Sequence, residues 1–132
     1  RQRPAGSAPC VRAVAEALPV ETRSVDAAMA VLSIHHWSDV ERGLAEMARI
    51  ARRRVVLVTF FPGAAPFWLT DEYFPEIAAS DRAVFPGVAT FQSLLERVIG
   101  PMQAAPLAIP HNCLDGFLGA YWRRPQSYLD AD

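Results

Sequence analysis

Residues 15–61 read AEALPVETRSVDAAMAVLSIHHWSDVERGLAEMARIARRRVVLVTFF, and in this stretch two apolar runs bracket one amphipathic segment. From Val25 to Ile34 only Asp26 and Ser33 interrupt the apolar residues, the pattern of a strand buried on both faces of a parallel sheet. Ser38-Asp39-Val40-Glu41 is a capping box. The Ser38 hydroxyl is expected to accept from the Glu41 amide while Glu41 reaches back to the Ser38 amide, so a helix starts here. Val40, Leu44, Met47, Ala48 and Ala51 recur at helical spacing, and Arg42 and Glu46 are spaced to pair on the opposite face. Arg52, Arg53 and Arg54 read as a solvated helix end, where cations offset the negative pole of the helix dipole. Val55 to Phe61, closed by Pro62-Gly63, is β-branched and aromatic and reads as a second buried strand. Strand, helix and strand with short connections predict a parallel βαβ crossover of right-handed sense, hence an α/β fold.

Upstream, Arg1 to Pro9 has the turn chemistry of a loop, Cys10 to Val14 is a short strand-like run, and Ala15 to Pro19 turns the chain toward a polar loop at Glu21 to Ser24. Downstream, Phe67 to Ser80 carries helical apolar spacing that Pro75 must divide into two short pieces. Thr90 to Ile99 places Phe91, Leu94, Leu95, Val98 and Ile99 on one helical face, with Gly100 at the C-terminal cap and Pro101 beyond it. Met102 to Ile109 reads as an edge strand because of Pro106, and Asp115 as the cap of an aromatic helix ending before Pro125. The expected arrangement is a single domain over residues 1–132, with a βαβ core at 10–61 and a helical region with one edge strand at 64–132.

The chain has 132 residues, enough to bury about two-thirds of its unfolded surface in one modest core. Its formal net charge of −1 offers no footprint for nucleic acid, and no apolar run approaches the ~18 residues of a membrane span. All 13 basic residues are Arg, which reads as codon usage and says little about chemistry. Cys10 and Cys113 form no CxxC pair and no secretory segment opens the chain, favouring a reduced, cytoplasmic setting, with a bridge between them left open. The first residue is Arg1, so a natural N-terminal portion is expected outside this chain.

The combination of AEALP, SVDAAMAVLSIHHW and RVVLVTFF resembles the middle motifs of class I S-adenosylmethionine-dependent methyltransferases, specifically the small-molecule group called type 11. The resemblance is firm over about residues 10 to 61 and looser beyond. It implies an incomplete Rossmann-like parallel sheet with flanking helices, S-adenosylmethionine as cofactor and a small-molecule methyl acceptor. Residue by residue, it implies that Ala15, Glu16 and Ala17 line the adenine, with Val14 standing where such proteins commonly have Asp. Val31, Leu32 and Ser33 would pass beside the methionine portion of the cofactor, and His35, His36 and Trp37 would face the methyl group and substrate. The carboxyl end of a strand is where open α/β sheets bind ligands.

Methyl transfer is an in-line displacement that needs alignment, and needs a general base only if the acceptor must lose a proton. A histidine titrating near pH ~6.5 suits that task, and His36 is the first candidate; the other role open to His35 and His36 is to close the loop by packing and hydrogen bonding. Glu16 likewise reads either as an adenine ligand or as a solvated turn carboxylate. The family's glycine-rich turn and its ribose-binding acid have no counterpart: the seven glycines form no G-x-G-x-x-G. The chain alone is therefore expected to bind the cofactor weakly and to be inactive. The competing reading is a non-catalytic module that self-associates through an exposed strand edge, as a homodimer or with a missing segment. A metal site at His35, His36, His111 and Cys113 lacks the spacing of common sites, so none is assigned.

Overall fold

In the computed structural model, residues 6–62 and 64–129 are described. The loop expected at Arg1 to Pro9 and the turn glycine Gly63 therefore fall partly or wholly outside the described residues. The chain divides into two compact units: one runs to Thr59 and adds Ser93–Gly100, and the other comprises Phe60–Gln92 with the residues from Pro101 onward.

The first unit is the βαβ crossover. Strand β1 spans Val25–Val31, helix α1 spans Val40–Ile50 and strand β2 spans Ala51–Val58, and the strands pair in parallel with Ala28 opposite Val55 and Val31 opposite Val58. The register slips once: Val25 pairs with Ala51 and Ala27 with Arg54, so Arg52 and Arg53 both oppose Asp26, each 4.0 Å from its carboxylate. Exposed pairs at such distances contribute little stability.

Several expectations are corrected here. The helix cap is Asp39, whose carboxylate accepts from the Arg42 amide at 2.9 Å, because the Ser38 hydroxyl is committed to Glu16 instead. Glu41, assigned to a capping box, pairs with Arg97, and Glu46 pairs with Arg49 rather than Arg42. Arg52 to Arg54 lie in β2, since the helix passes into the strand with no loop between them, and Arg52 donates to the carbonyls of Arg23 and Ser24. β2 accordingly occupies Ala51–Val58 and not Val55 to Phe61. β1 stops at Val31 because Leu32 turns to φ +45°, and Ile34–His36 form a 3-10 turn.

β1 is also not buried on both faces. Ala28 and Ala30 are buried on the side that packs against Leu44, Met47 and Ile50 of α1, whereas Met29 is 69% and Val31 49% exposed on the other. Cys10 to Val14 is not a strand: Val14 makes one isolated bridge to Ala17, and among the described residues Cys10 to Ala13 have no strand to pair with. Both cysteines are free thiols.

In the second unit, Pro75 divides the chain as its chemistry requires. A π-helical turn at Leu69–Tyr73 ends before it, and helix α2 spans Pro75–Val84 with the proline in its first turn, where its missing N–H costs nothing. Helix α3 spans Val88–Val98; its first half belongs to the second unit and its last half to the first. Gly100, at φ +115°, donates to the Leu95 carbonyl and closes the helix as expected. Met102 to Ile109 forms no strand, and the region after Asp115 forms turns and one 3-10 segment, Pro125–Tyr128, rather than an α-helix. Aromatic contacts hold this unit: Phe61 against Phe91, Phe60 against Phe85, and Trp68 against both Tyr73 and Tyr128. The Trp68 indole also donates to the Trp122 carbonyl at 2.9 Å.

Candidate functional site

Two short segments meet at the end of α1. The first is the turn Val14–Ala17, closed by the Ala17 amide donating to the Val14 carbonyl at 3.2 Å. The second leaves the end of β1, where the Leu32 amide donates to the Val58 carbonyl while its backbone sits at φ +45°. A bulky residue in the left-handed region costs of order 1–2 kcal/mol, and such outliers cluster at functional sites.

Glu16 joins the two segments. One carboxylate oxygen accepts from the Ser38 hydroxyl at 2.8 Å and from the Asp39 amide at 2.9 Å. The Asp39 amide is the main reason the carboxyl titrates near 2, well below its ordinary 4.5, with the Ser38 hydroxyl adding to it. The carboxylate thus sits against the amino end of a helix, where negative charge is favoured. Trp37 lies over α1 at Gly43, where an added Cβ would come within 2.4 Å of the indole. Helix α1 carries a glycine at this position to admit the ring.

These elements enclose an open concavity of about 360 Å³ that follows β1 from Val25 to Val31 and is floored by Met47 and Ile50 of α1. Four of the residues singled out from sequence line it together: Ala15, Val31, Ser33 and Trp37. Glu16, Ala17, Leu32, His35 and His36 are not among its lining residues. His36 is exposed on the 3-10 turn, with its ring centroid 3.9 Å from that of His35. Leu18, Val20 and Met47 line the space without having been anticipated.

Two further residues were also missed. Glu46 accepts from the Leu18 amide at 2.8 Å, and Arg49 donates to the carbonyls of Leu18 and Val20 at 3.0 and 2.8 Å. The available signal was a Glu and an Arg three apart on the polar side of α1. Among the described residues, no group of three metal-ligating side chains comes together, and no helix is long and apolar enough to cross a membrane.

Comparison with known proteins adds two findings. Residues 1–59 match the family of methyltransferase domains. Over 89% of its length the chain also superposes, at TM-score 0.79 and 38% identity, on a solved structure from Anabaena variabilis provisionally assigned as a methyltransferase of an antibiotic biosynthesis pathway. The chain spans 48% of that structure, about half its length. No curated protein matches the chain.

Proposed function

We propose that this chain, whose first 59 residues and Rossmann-like fold are those of the class I methyltransferase family, forms the adenine-side and methyl-side walls of a site that transfers a methyl group from S-adenosylmethionine to a small molecule. One observation carries this reading: Ala15, from the turn, and Val31, Ser33 and Trp37, from the end of β1, line a single concavity although they are far apart in sequence. The donor set suits the cofactor. Small and apolar side chains leave room for a planar base and an aliphatic sulfonium arm, and the carboxyl end of a parallel strand is the ordinary ligand position in such sheets.

Ala15 and Ala17, held in their turn by Glu16, would border the adenine, and Val31, Leu32 and Ser33 the methionine portion. The cofactor, when bound, supplies an electrophilic methyl group. The protein's part is to hold acceptor and methyl carbon in line and to keep water from between them, which can account for much of the acceleration. His35 and Trp37 would border the acceptor. His36 is the base wherever the acceptor must lose a proton, and its exposed position on the 3-10 turn leaves it free to meet one. Two distant cysteines without a CxxC pair support a reduced, cytoplasmic setting.

A second reading is supported by the exposed side of β1. Among the described residues β1 pairs with β2 alone, leaving its other edge open, and Met29 and Val31 are exposed beside it. An open apolar edge is suited to a further strand, from another copy or from a separate segment. Both readings draw on the same concavity, so they are distinguished by ligand and by mass. Calorimetric titration with S-adenosylmethionine, on this chain and on the product of the whole gene, is expected to give tight binding only for the latter, since none of the glycines here forms the family's glycine-rich, methionine-binding turn. Equal affinities would overturn the importance assigned to that turn. No binding by either, with a homodimer by light scattering, would favour the second reading.

A further inference from the structure

The segment that follows the Ala15–Ala17 turn has no regular structure of its own until β1 begins, yet the backbone of Leu18, Val20 and Arg23 is held by groups of α1 and β2. Both polar groups of Leu18 are taken by α1: its amide donates to Glu46 at 2.8 Å and its carbonyl accepts from Arg49 at 3.0 Å. The same guanidinium reaches the Val20 carbonyl at 2.8 Å and the Thr22 hydroxyl at 3.2 Å, and the Arg49 carbonyl accepts from the Arg23 amide at 2.9 Å. Glu46 and Arg49 fix each other by two parallel bonds, Nε to Oε1 at 2.7 Å and Nη2 to Oε2 at 2.8 Å. A planar guanidinium paired in this way presents its remaining donors in a set direction, which an ammonium cannot do. Leu18 and Val20, the residues so gripped, line the concavity beside Ala15.

Glu16 anchors the start of this segment at the amino end of α1, and the Glu46–Arg49 pair anchors its middle two turns further along. We infer that Glu46 and Arg49 are positioning residues for the base of the cofactor: by gripping Leu18 and Val20 they hold the Ala15–Ala17 turn and its exposed backbone at the spacing an adenine requires. This deepens the methyltransferase reading and rests on it. The pair touches no ligand itself. It acts through part-buried backbone, above all the Leu18 amide and the Val20 carbonyl, since the Leu18 carbonyl also accepts from the Val20 amide at 2.8 Å.

The test uses the product of the whole gene, amide hydrogen exchange and two ligands: S-adenosylhomocysteine, and S-inosylhomocysteine, which differs only in the 6-oxo group of its base. Arg49→Lys keeps the charge but cannot span the Glu46 carboxylate and two carbonyls at once. Glu46→Gln keeps an acceptor for the Leu18 amide, and Arg53→Lys, exposed on β2, serves as the control. Arg49→Lys is expected to speed exchange of the Leu18 amide at least tenfold. It should also weaken S-adenosylhomocysteine about tenfold, within the hundredfold that a 1 Å misplacement can cost, and to shrink the preference for it over the inosine analogue. Glu46→Gln is expected to show smaller losses and Arg53→Lys none. A purely structural role would weaken both ligands by one factor and leave the preference intact, and that result, or unchanged exchange at Leu18, would overturn the inference alone. Failure of the unsubstituted protein to bind either ligand would overturn the functional reading, and the inference with it.

Discussion

The two units of the chain hold their irregular segments by different means. In the first, residues 16–23 are fastened to α1 by Glu16, Glu46 and Arg49, so that carboxylates and a guanidinium stand in for secondary structure. In the second, the turns around Trp68, Tyr121 and Tyr128 are held by rings packed edge to face, whose own polar tips also donate to loop carbonyls, Trp68 to Trp122, Trp122 to Ile109 and Tyr128 to Leu118. Polar fasteners fix a backbone by direction and answer to pH; aromatic packing fixes it by volume and answers to cavities. The candidate site lies with the first kind, where the placing of individual backbone groups matters most.

The largest expected effect tests the aromatic side of this contrast. Phe91 is only 3% exposed and stands 5.6 Å from the ring of Phe61. Phe91→Ala is expected to cost about 3–5 kcal/mol in denaturant unfolding, with no change in the pH dependence of stability. A loss below about 1 kcal/mol would show that volume does not govern that unit.

Next in size is Gly43→Ala. Alanine should favour an isolated helix by about 1 kcal/mol, but the Cβ would meet the Trp37 ring at 2.4 Å, and overpacking of this kind typically costs about 1–3 kcal/mol. The net expectation is destabilisation accompanied by a changed Trp37 fluorescence. A gain in thermal midpoint with unaltered fluorescence would mean that Trp37 does not rest on α1.

The smallest effect probes the polar fasteners. Glu16 and Glu46 both titrate near 2 instead of 4.5, Glu16 mainly through the Asp39 amide and Glu46 mainly through Arg49. Folded values lowered in this way stabilise the protein fully above about pH 4.5, and that contribution is lost as the pH falls from 4.5 toward 2. Glu16→Gln and Glu46→Gln should each flatten the acid limb of the thermal midpoint between pH 5 and 2.5, leaving the neutral-pH slope alone. An unaltered acid limb in both would count against the fasteners.

How much of this was legible in the sequence follows from how local each signal is. Pro75 between the two helical pieces, Gly100 after α3 and Leu44 and Met47 on the apolar face of α1 depend on neighbours within a turn or two, and the structure places them where the spacing predicts, whereas Ala51, expected on that face, opens β2 and Ile50 is buried instead. The cap moved from Ser38 to Asp39 because Glu16, distant in sequence, claims the serine. The Arg49 grip on Leu18 and Val20 was invisible for the same reason: spacing along a helix reveals i,i+4 partners, not the backbone of a remote loop. Strands were misjudged where pairing was required. Cys10 to Val14 and Met102 to Ile109 have strand-like composition but no strand beside them, and composition cannot supply one. Of the candidate site, the segments were legible, but which side chains line the concavity was not. Ala15 and Val31 turn into it while Glu16 turns to the helix.

The central claim is that the Ala15 turn and the end of β1 form one cofactor-bordering surface. Its most direct test is a titration of the isotopically labelled chain with S-adenosylhomocysteine, followed by amide chemical shifts, which report even weak binding. The account predicts saturable shifts that concentrate at residues 15–18 and 31–37 and spare α2. No shifts at millimolar ligand, or shifts confined to residues outside those two segments, would contradict it.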